Sequence, residues 1–354
     1  MSDFPQLRTA ADGGDLTAQF ELAKALDGAG RHSEALDWLA RASDAGSADA
    51  ALLLGVRLFT GQAAPKSLKD GVAKIARAAD LGSAEACGYL AAFAAEGMAL
   101  PQDWNAALDW LATGAGRGNE ACRAQLRLLA PEAVSDDWPK ARASIDLDAW
   151  LATPAAKILS QSPRVVTVEA FLAPQICAWM IESARDKLTV APIYDDQTGG
   201  ALKSERRSNT NAVFHPIEGD VIHALVRARM GRVADVSPLV MEPLAVLHYD
   251  VGQEFRRHVD FINPGVPSFA LEIAEKGQRI ATFLTYLNED FEGAETEFPV
   301  LALRWRGKTG DAILFRNVDP SGAPDRRTLH AGRTPTRGEK WLLSQFIRDK
   351  TQTY

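Results

Sequence analysis

Only three cysteines occur in the 354 residues, Cys87, Cys122 and Cys177. They are odd in number and widely spaced, which excludes a disulfide framework and a CxxC zinc site and leaves them as small buried hydrophobes. Long apolar runs are also missing: no stretch approaches the roughly 18 uninterrupted apolar residues of a spanning helix. The opening MSDFPQLRTAADGGD has no apolar core of the signal-peptide type. These absences lead to the expectation of a cytoplasmic protein. An excess of positive charge is absent too, with 39 Lys and Arg against 46 Asp and Glu and a formal net charge of −7. That balance argues against nucleic acid or an anionic membrane as partner. What remains is an ordinary globular composition, 46% hydrophobic and 24% charged, on a chain long enough for two or three domains.

Proline is scarce from Asp15 to Leu129, a stretch rich in Ala and Leu. Its segment ends DAGS, DLGS and GRGN place Gly46, Gly82 and Gly118 at a fixed interval of 36 residues, the mark of helical repeats. In this register Ala18, Ala50 and Ala86 coincide, as do Leu22, Leu54 and Leu90, followed by the small residues Ala23, Gly55 and Ala91. The second helix of each unit aligns Leu36, Val72 and Leu108, then Leu39, Ile75 and Leu111. Each glycine falls where a helix must stop in a left-handed conformation. The pattern resembles Sel1-like repeats, relatives of the tetratricopeptide repeats. Three units cover residues 15 to 118 within an N-terminal region 1–130, the first unit shortened by four residues at its inner loop. The aligned Ala, Leu and Trp positions serve intra-repeat packing, and a concave surface for a protein partner is the functional expectation. Three repeats are near the minimum for a stable stack, so the array should lean on the next segment of the chain.

Residues 131–162 read as a connector punctuated by prolines, with Ile145 to Leu159 as a short helix, and the next domain is expected from 163 to 354. RVVTVEAF is a β-branched strand, and APQICAWMIESARDKL spaces Ile176, Met180, Ile181 and Ala184 as a helix docked on a sheet. KSERRSNTN is either a solvated loop or a substrate-groove loop carrying Arg207. GDVIHALVRARMGRVA reads as a second amphipathic helix, with His223 a packed or surface side chain. Further strands lie in MEPLAVLHYD, QRIATFLTYLNED, GDAILFRN and RGEKWLLSQFIRD, completing an all-β core of about eight strands with two helices outside.

Within HYDVGQEFRRHVDF, the i and i+2 spacing of His258 and Asp260 turns an imidazole and a carboxylate to one face of a strand, with Phe255, Val259 and Phe261 on the other. His330 in TLHAG is the candidate third ligand. Two His and one carboxylate with open positions form the facial triad of non-haem Fe(II) oxygenases, while zinc hydrolase chemistry on the same ligands is an alternative. Lys340 opens the last strand; by spacing alone it reads as an exposed lysine, with an inward-pointing cation the alternative because the strand's other face is apolar, and Arg333 and Arg337 are rival anion binders.

The Tyr249 strand and its following Gly, His258-x-Asp260, QRIATFLTYLN, GAETEFP, GDAILF, LHAG and GEKW occur in an order and spacing that resemble the prolyl 4-hydroxylase branch of the 2-oxoglutarate and Fe(II)-dependent dioxygenases. The likeness covers residues 164 to 348. It implies a double-stranded β-helix, so that the fold class is multidomain α and β: a helical repeat solenoid followed by a jelly-roll oxygenase domain with flanking helices. It further implies Fe(II) on His258, Asp260 and His330, with the far carboxylate of 2-oxoglutarate on Lys340 and further co-substrate contacts at Tyr249 and Thr296. The expected reaction hydroxylates an unactivated C–H bond, most of all that of a prolyl residue in a peptide or protein, with release of succinate and CO2 and with ascorbate as reductant. A hydroxylase of a free amino acid or small molecule, or a repeat adaptor with an inactive oxygenase domain, are the competing readings. The family pattern has a second glycine where this chain has Ala294, and the segment FINPGVPSFALEIAEKG after Asp260 is longer than usual, which makes it the expected lip of the pocket.

Overall fold

The computed structural model describes residues 4–131, 136–191, 193–194, 201–202 and 207–352. It divides into two compact units, Met1–Leu147 with Gly219–Ala224, and Asp148–Glu218 with Leu225–Tyr354. No helix among the described residues is long and apolar enough to cross a membrane.

The first unit is built of α1 (Phe4–Asp12), α2 (Leu16–Gly28), α3 (His32–Asp44), α4 (Ala48–Thr60), α5 (Leu68–Asp80), α6 (Ala84–Glu96), α7 (Trp104–Gly116), α8 (Glu120–Leu129) and α9 (Trp138–Ser144). The expected repeats are the pairs α2 and α3, α4 and α5, α6 and α7. Gly46, Gly82 and Gly118 take φ of +105°, +100° and +96°, a region other residues rarely enter. The next residue in each case caps the following helix: the side-chain oxygens of Ser47, Ser83 and Asn119 accept the N–H of Ala50, Ala86 and Cys122 at 3.3, 3.2 and 2.8 Å. One dipeptide thus stops a helix and starts another. Close approach inside a repeat is clearest between α4 and α5, where a Cβ added at Gly55 would lie 2.7 Å from Ile75 and one at Gly71 2.7 Å from the Phe59 nitrogen. The array does gain support from α8 and α9: Arg142 of α9 donates to Asp109 of α7 at 2.6 Å, and Arg123 and Arg127 of α8 lie over the Trp138 ring.

The chain continues through α10 (Leu147–Leu151), β1 (Lys157–Gln161), β2 (Arg164–Val168), α11 (Pro174–Arg185), β3 (Thr189–Val190), β4 (Ile193–Tyr194), β5 (Ala201–Leu202), β6 (Thr210–Phe214), α12 (Val221–Ala234) and β7 (Leu244–Tyr249). Then come β8 (Phe255–His258), α13 (Pro267–Lys276), β9 (Arg279–Tyr286), β10 (Glu292–Gly293), β11 (Thr296–Phe298), β12 (Leu303–Trp305), β13 (Ala312–Arg316), β14 (His330–Gly332), β15 (Pro335–Arg337) and β16 (Lys340–Arg348). An eight-stranded sheet has the order β1-β2-β13-β9-β16-β7-β6-β3, and a four-stranded sheet the order β12-β11-β14-β8. A core cluster joins Leu247, Tyr249, Leu284, Tyr286, Ile313, Phe315 and Leu342 of the larger sheet to Phe298 of the smaller. This is the expected double-stranded β-helix, with helices flanking it.

Two local expectations need correction, and one helix was not foreseen. The stretch from Ile145 to Leu159 is helical only over Leu147–Leu151 and becomes β1 at Lys157, because Pro154 disfavours helical backbone at the residue before it. The α12 helix is not amphipathic at its start: Val221 to Arg227 are all buried, and Arg227 is accommodated there by donating to the carbonyls of Glu242 and Pro238. The long segment after Asp260 contains a helix, α13, that its prolines had hidden. Pro267 begins it, a position where the missing N–H costs nothing. Gly277 ends it at φ +82°, where a Cβ would fall 2.0 Å from the Asp349 carboxylate.

Candidate active site

The smaller sheet brings two imidazoles together by register. His258 on β8 and His330 on β14 are directly paired residues of neighbouring antiparallel strands, with ring centres 4.2 Å apart. Strand β8 ends at His258, so Asp260 is not on the same strand, as its spacing led one to expect, but in the segment just beyond. The carboxylate nonetheless reaches both rings: Oδ1 is 3.4 Å from His258 Nε2, and Oδ2 is 3.4 Å from His330 Nε2. The three residues offer donor atoms within 4.8 Å of one another. Each ring is oriented through its other nitrogen, His258 Nδ1 lying 2.8 Å from the Arg256 carbonyl and His330 Nδ1 3.0 Å from that of Thr328. A carbonyl can only accept, so Nδ1 carries the proton and Nε2 keeps its lone pair for a metal.

The surroundings are apolar on one side. Phe298 and Phe315 pack on His330, with ring centres 5.5 and 4.8 Å away. Phe255, expected on the opposite face, instead stacks on His258 at 3.4 Å because β8 bulges against β14: His258 pairs with His330 and Phe255 with Gly332, so the extra residue of β8 brings Phe255 and His258 to one face. The guanidinium of Arg207 lies 4.5 Å from the Phe255 ring centre and its Nε donates to Asn209 at 2.8 Å. Arg207 therefore belongs with the site rather than with solvent; residues 203–206 of its loop lie outside the described residues. Burial works against charge on Asp260, but His330, His258 and the Thr282 hydroxyl outweigh it and hold the carboxyl well below the usual range. Burial pushes His330 down to about 4. A carboxylate and neutral imidazoles are the forms that ligate.

The larger sheet supplies the other half of the site. Lys340 on β16 is paired with Tyr249 on β7, and its side chain is buried among aromatic rings, Nζ being 4.6 Å from the Tyr286 ring centre and 5.5 Å from that of Tyr249. Its hydrogen-bond partners among the described residues are neutral, the Ala294 carbonyl at 2.8 Å and the Tyr286 hydroxyl at 3.4 Å. Burial pushes this ammonium down to about 7 and the Tyr249 hydroxyl up to about 12. The rival arginines are engaged elsewhere: Arg337 is exposed and pairs with Glu292, while Arg333 points toward Glu297. Ala294 takes the left-handed conformation, φ +56°, that the family's glycine would occupy, and this turn aims its carbonyl at Lys340. Thr296 is buried and lies 3.0 Å from the Tyr286 hydroxyl.

Two residues of this site were missed in the sequence. Thr282 donates to Asp260 Oδ2 at 2.7 Å, and Tyr286 bridges Thr296 and Lys340. Both lie on β9 and share a face with Leu284, the i, i+2, i+4 periodicity that would have revealed them once one was known to face inward.

Residues 244–348 match the family model described as the 2OG-Fe(II) oxygenase superfamily. Prolyl 4-hydroxylase 5 of Arabidopsis thaliana is 31% identical over 215 residues, which cover 54% of this chain and 70% of that protein. Prolyl 4-hydroxylase 1 of the same plant is 29% identical over 210 residues, covering 55% and 72%. The chain belongs to the prolyl 4-hydroxylase family of 2-oxoglutarate- and Fe(II)-dependent dioxygenases. Among solved structures, the viral collagen prolyl hydroxylase of Paramecium bursaria Chlorella virus 1 is similar at 26% identity over 52% of this chain and 95% of that one, with a TM-score of 0.39. A Sel1 repeat protein from Oxalobacter formigenes is similar at 30% identity over 36% of this chain and 98% of that one, with a TM-score of 0.34.

Proposed function

We propose that this enzyme hydroxylates a prolyl residue in a peptide or protein, with release of succinate and CO2, and that ascorbate serves as its reductant. In this reading His258, Asp260 and His330 hold Fe(II), Lys340 anchors the far carboxylate of 2-oxoglutarate, and Tyr249 and Thr296 line the co-substrate's chamber. The observation that carries it is Lys340: a buried ammonium whose described hydrogen-bond partners are neutral calls for an anion, and it faces the same barrel interior as two imidazoles and a carboxylate. Two Nε2 lone pairs and one carboxylate on one side of a metal fit Fe(II) and leave its other positions open.

When bound, the iron and 2-oxo acid supply the oxidising power for C–H hydroxylation. The chain supplies orientation and exclusion. The Arg256 and Thr328 carbonyls hold both imidazoles in the ligating tautomer. Phe298 and Phe315 close the His330 side against water, while His258, with its side chain 19% exposed, marks the open side from which a substrate approaches. The repeats of residues 1–130 act as the holding surface for the protein that bears the target proline.

The test is turnover with a proline-containing peptide, Fe(II), 2-oxoglutarate and ascorbate. Hydroxyproline and succinate should form in equal amounts and neither should form with His258→Ala. Succinate without peptide hydroxylation, together with modification of free proline, would replace the substrate class.

A further inference from the structure

Asp260 differs from the two histidines in how it is held. Its Oδ2 accepts the Thr282 hydroxyl proton at 2.7 Å, and the Thr282 oxygen in turn accepts from Asn317 Nδ2 at 2.9 Å. All three residues are buried, Asn317 fully so. Asn317 is fixed by its own backbone, its N–H donating to the Ile280 carbonyl and its C=O accepting from Asp325, so it cannot follow Thr282 if the hydroxyl turns away. Its side-chain oxygen has no partner among the described residues, which leaves the bond to Thr282 as the amide's one anchoring contact. The Asn317 amide occupies the Thr282 oxygen as an acceptor, so the hydroxyl proton is directed at the carboxylate.

We infer that Thr282, oriented by Asn317, is a positioning residue that reserves Oδ2 of Asp260 and presents Oδ1 alone to the metal. The inference rests on the proposed metal reading of His258, Asp260 and His330. A carboxylate that offers one oxygen takes one coordination position, while one free to rotate takes two and competes with the bidentate 2-oxo acid. A donor to the second oxygen also fixes the carboxylate plane before metal arrives, which is where partners of metal ligands contribute their affinity. Thr282 acts through Asp260, and Asn317 through Thr282.

The experiment is Co(II) titration of metal-free full-length protein, followed by 2-oxoglutarate titration of the Co(II)-loaded form. Thr282→Val keeps the shape and β-branching but loses the hydroxyl; Thr282→Ser keeps the hydroxyl. The expected result is about a tenfold or greater loss of Co(II) affinity in Thr282→Val, a further weakening of 2-oxoglutarate binding to its loaded form, and near wild-type values in Thr282→Ser. Asn317→Leu, which leaves Thr282 in place but unoriented, should shift Co(II) affinity in the same direction as Thr282→Val. Equal Co(II) affinity in wild type and both hydroxyl-disrupting variants overturns the inference while leaving the metal reading intact. Equal losses in Thr282→Ser and Thr282→Val overturn it as well, since packing alone would then be responsible. Failure of the wild-type protein to bind Co(II) removes the metal reading itself.

Discussion

Lys340 is held in the ligand-free fold at a cost. A lysine with its side chain fully buried and its pKa brought from the ordinary 10.5 to about 7 by burial is stabilised less than the same lysine in water. Between those two values the unfolded chain binds the extra proton, so stability rises with pH across that window; below about pH 7 the penalty is present in full. Lys340→Met should therefore raise the thermal stability of the ligand-free protein at pH 7, with the gain shrinking toward pH 10, while abolishing its stabilisation by 2-oxoglutarate. In the wild type the dianion draws the proton back, and calorimetry at pH 8 in buffers of different ionisation enthalpy should register uptake of nearly one proton on binding. No proton uptake, or a Lys340→Met protein that still responds to 2-oxoglutarate, would count against the anchoring role. His258, Asp260 and His330 could be proposed from the sequence because the His-x-Asp spacing and a distal His form a ligand pattern, whereas Lys340, which on spacing alone reads as an exposed lysine, was legible only through the resemblance of its motifs to a known family. Thr282 and Tyr286 were not, because in a strand buried on both faces a threonine or tyrosine is indistinguishable from a β-former chosen for packing.

At the scale of elements, contacts between backbones decide what substitutions are tolerated. Gly71 of α5 lies so close to α4 that an added Cβ would sit 2.7 Å from the Phe59 nitrogen and 2.9 Å from the Gly55 oxygen, atoms that cannot move aside without shifting a helix. Gly88 of α6 meets nothing nearer than the Cys122 sulfur at 3.6 Å. Gly71→Ala should cost about 1–3 kcal/mol through overpacking, whereas Gly88→Ala should gain up to about 1 kcal/mol from helix propensity. Thermal or urea unfolding followed by far-ultraviolet circular dichroism distinguishes them, and a Gly71→Ala protein as stable as wild type would refute the close approach. The repeat helices were legible because a 36-residue period repeats the same stop and cap three times. The helix α13 was not, because Pro264, Gly265 and Pro267 announce a loop and the helix begins on the last of them. Its fixing points, Arg348 to the Gly277 carbonyl and Lys350 to that of Ala274, come from 71 and 76 residues away in the chain.

At the scale of the whole molecule, the chain joins a Sel1-like helical array to a double-stranded β-helix in which the larger sheet carries Lys340 and Tyr249 and the smaller carries His258 and His330. The fold class could be read from the sequence since one half has a 36-residue period and the other has β-branched runs whose motifs resemble a family with a double-stranded β-helix. Its division of labour between two sheets could not, because which strands neighbour one another depends on pairings between residues far apart, such as His330 with His258. The central claim is that these two strand pairs form one chamber for iron and a 2-oxo acid. Its most direct measurement is the visible absorption of metal-free protein given Fe(II) and 2-oxoglutarate without oxygen. A weak charge-transfer band should appear in the wild type and be absent from His258→Ala with its circular dichroism unchanged; a wild-type protein with no band, or a His258→Ala protein that keeps it, would contradict the claim.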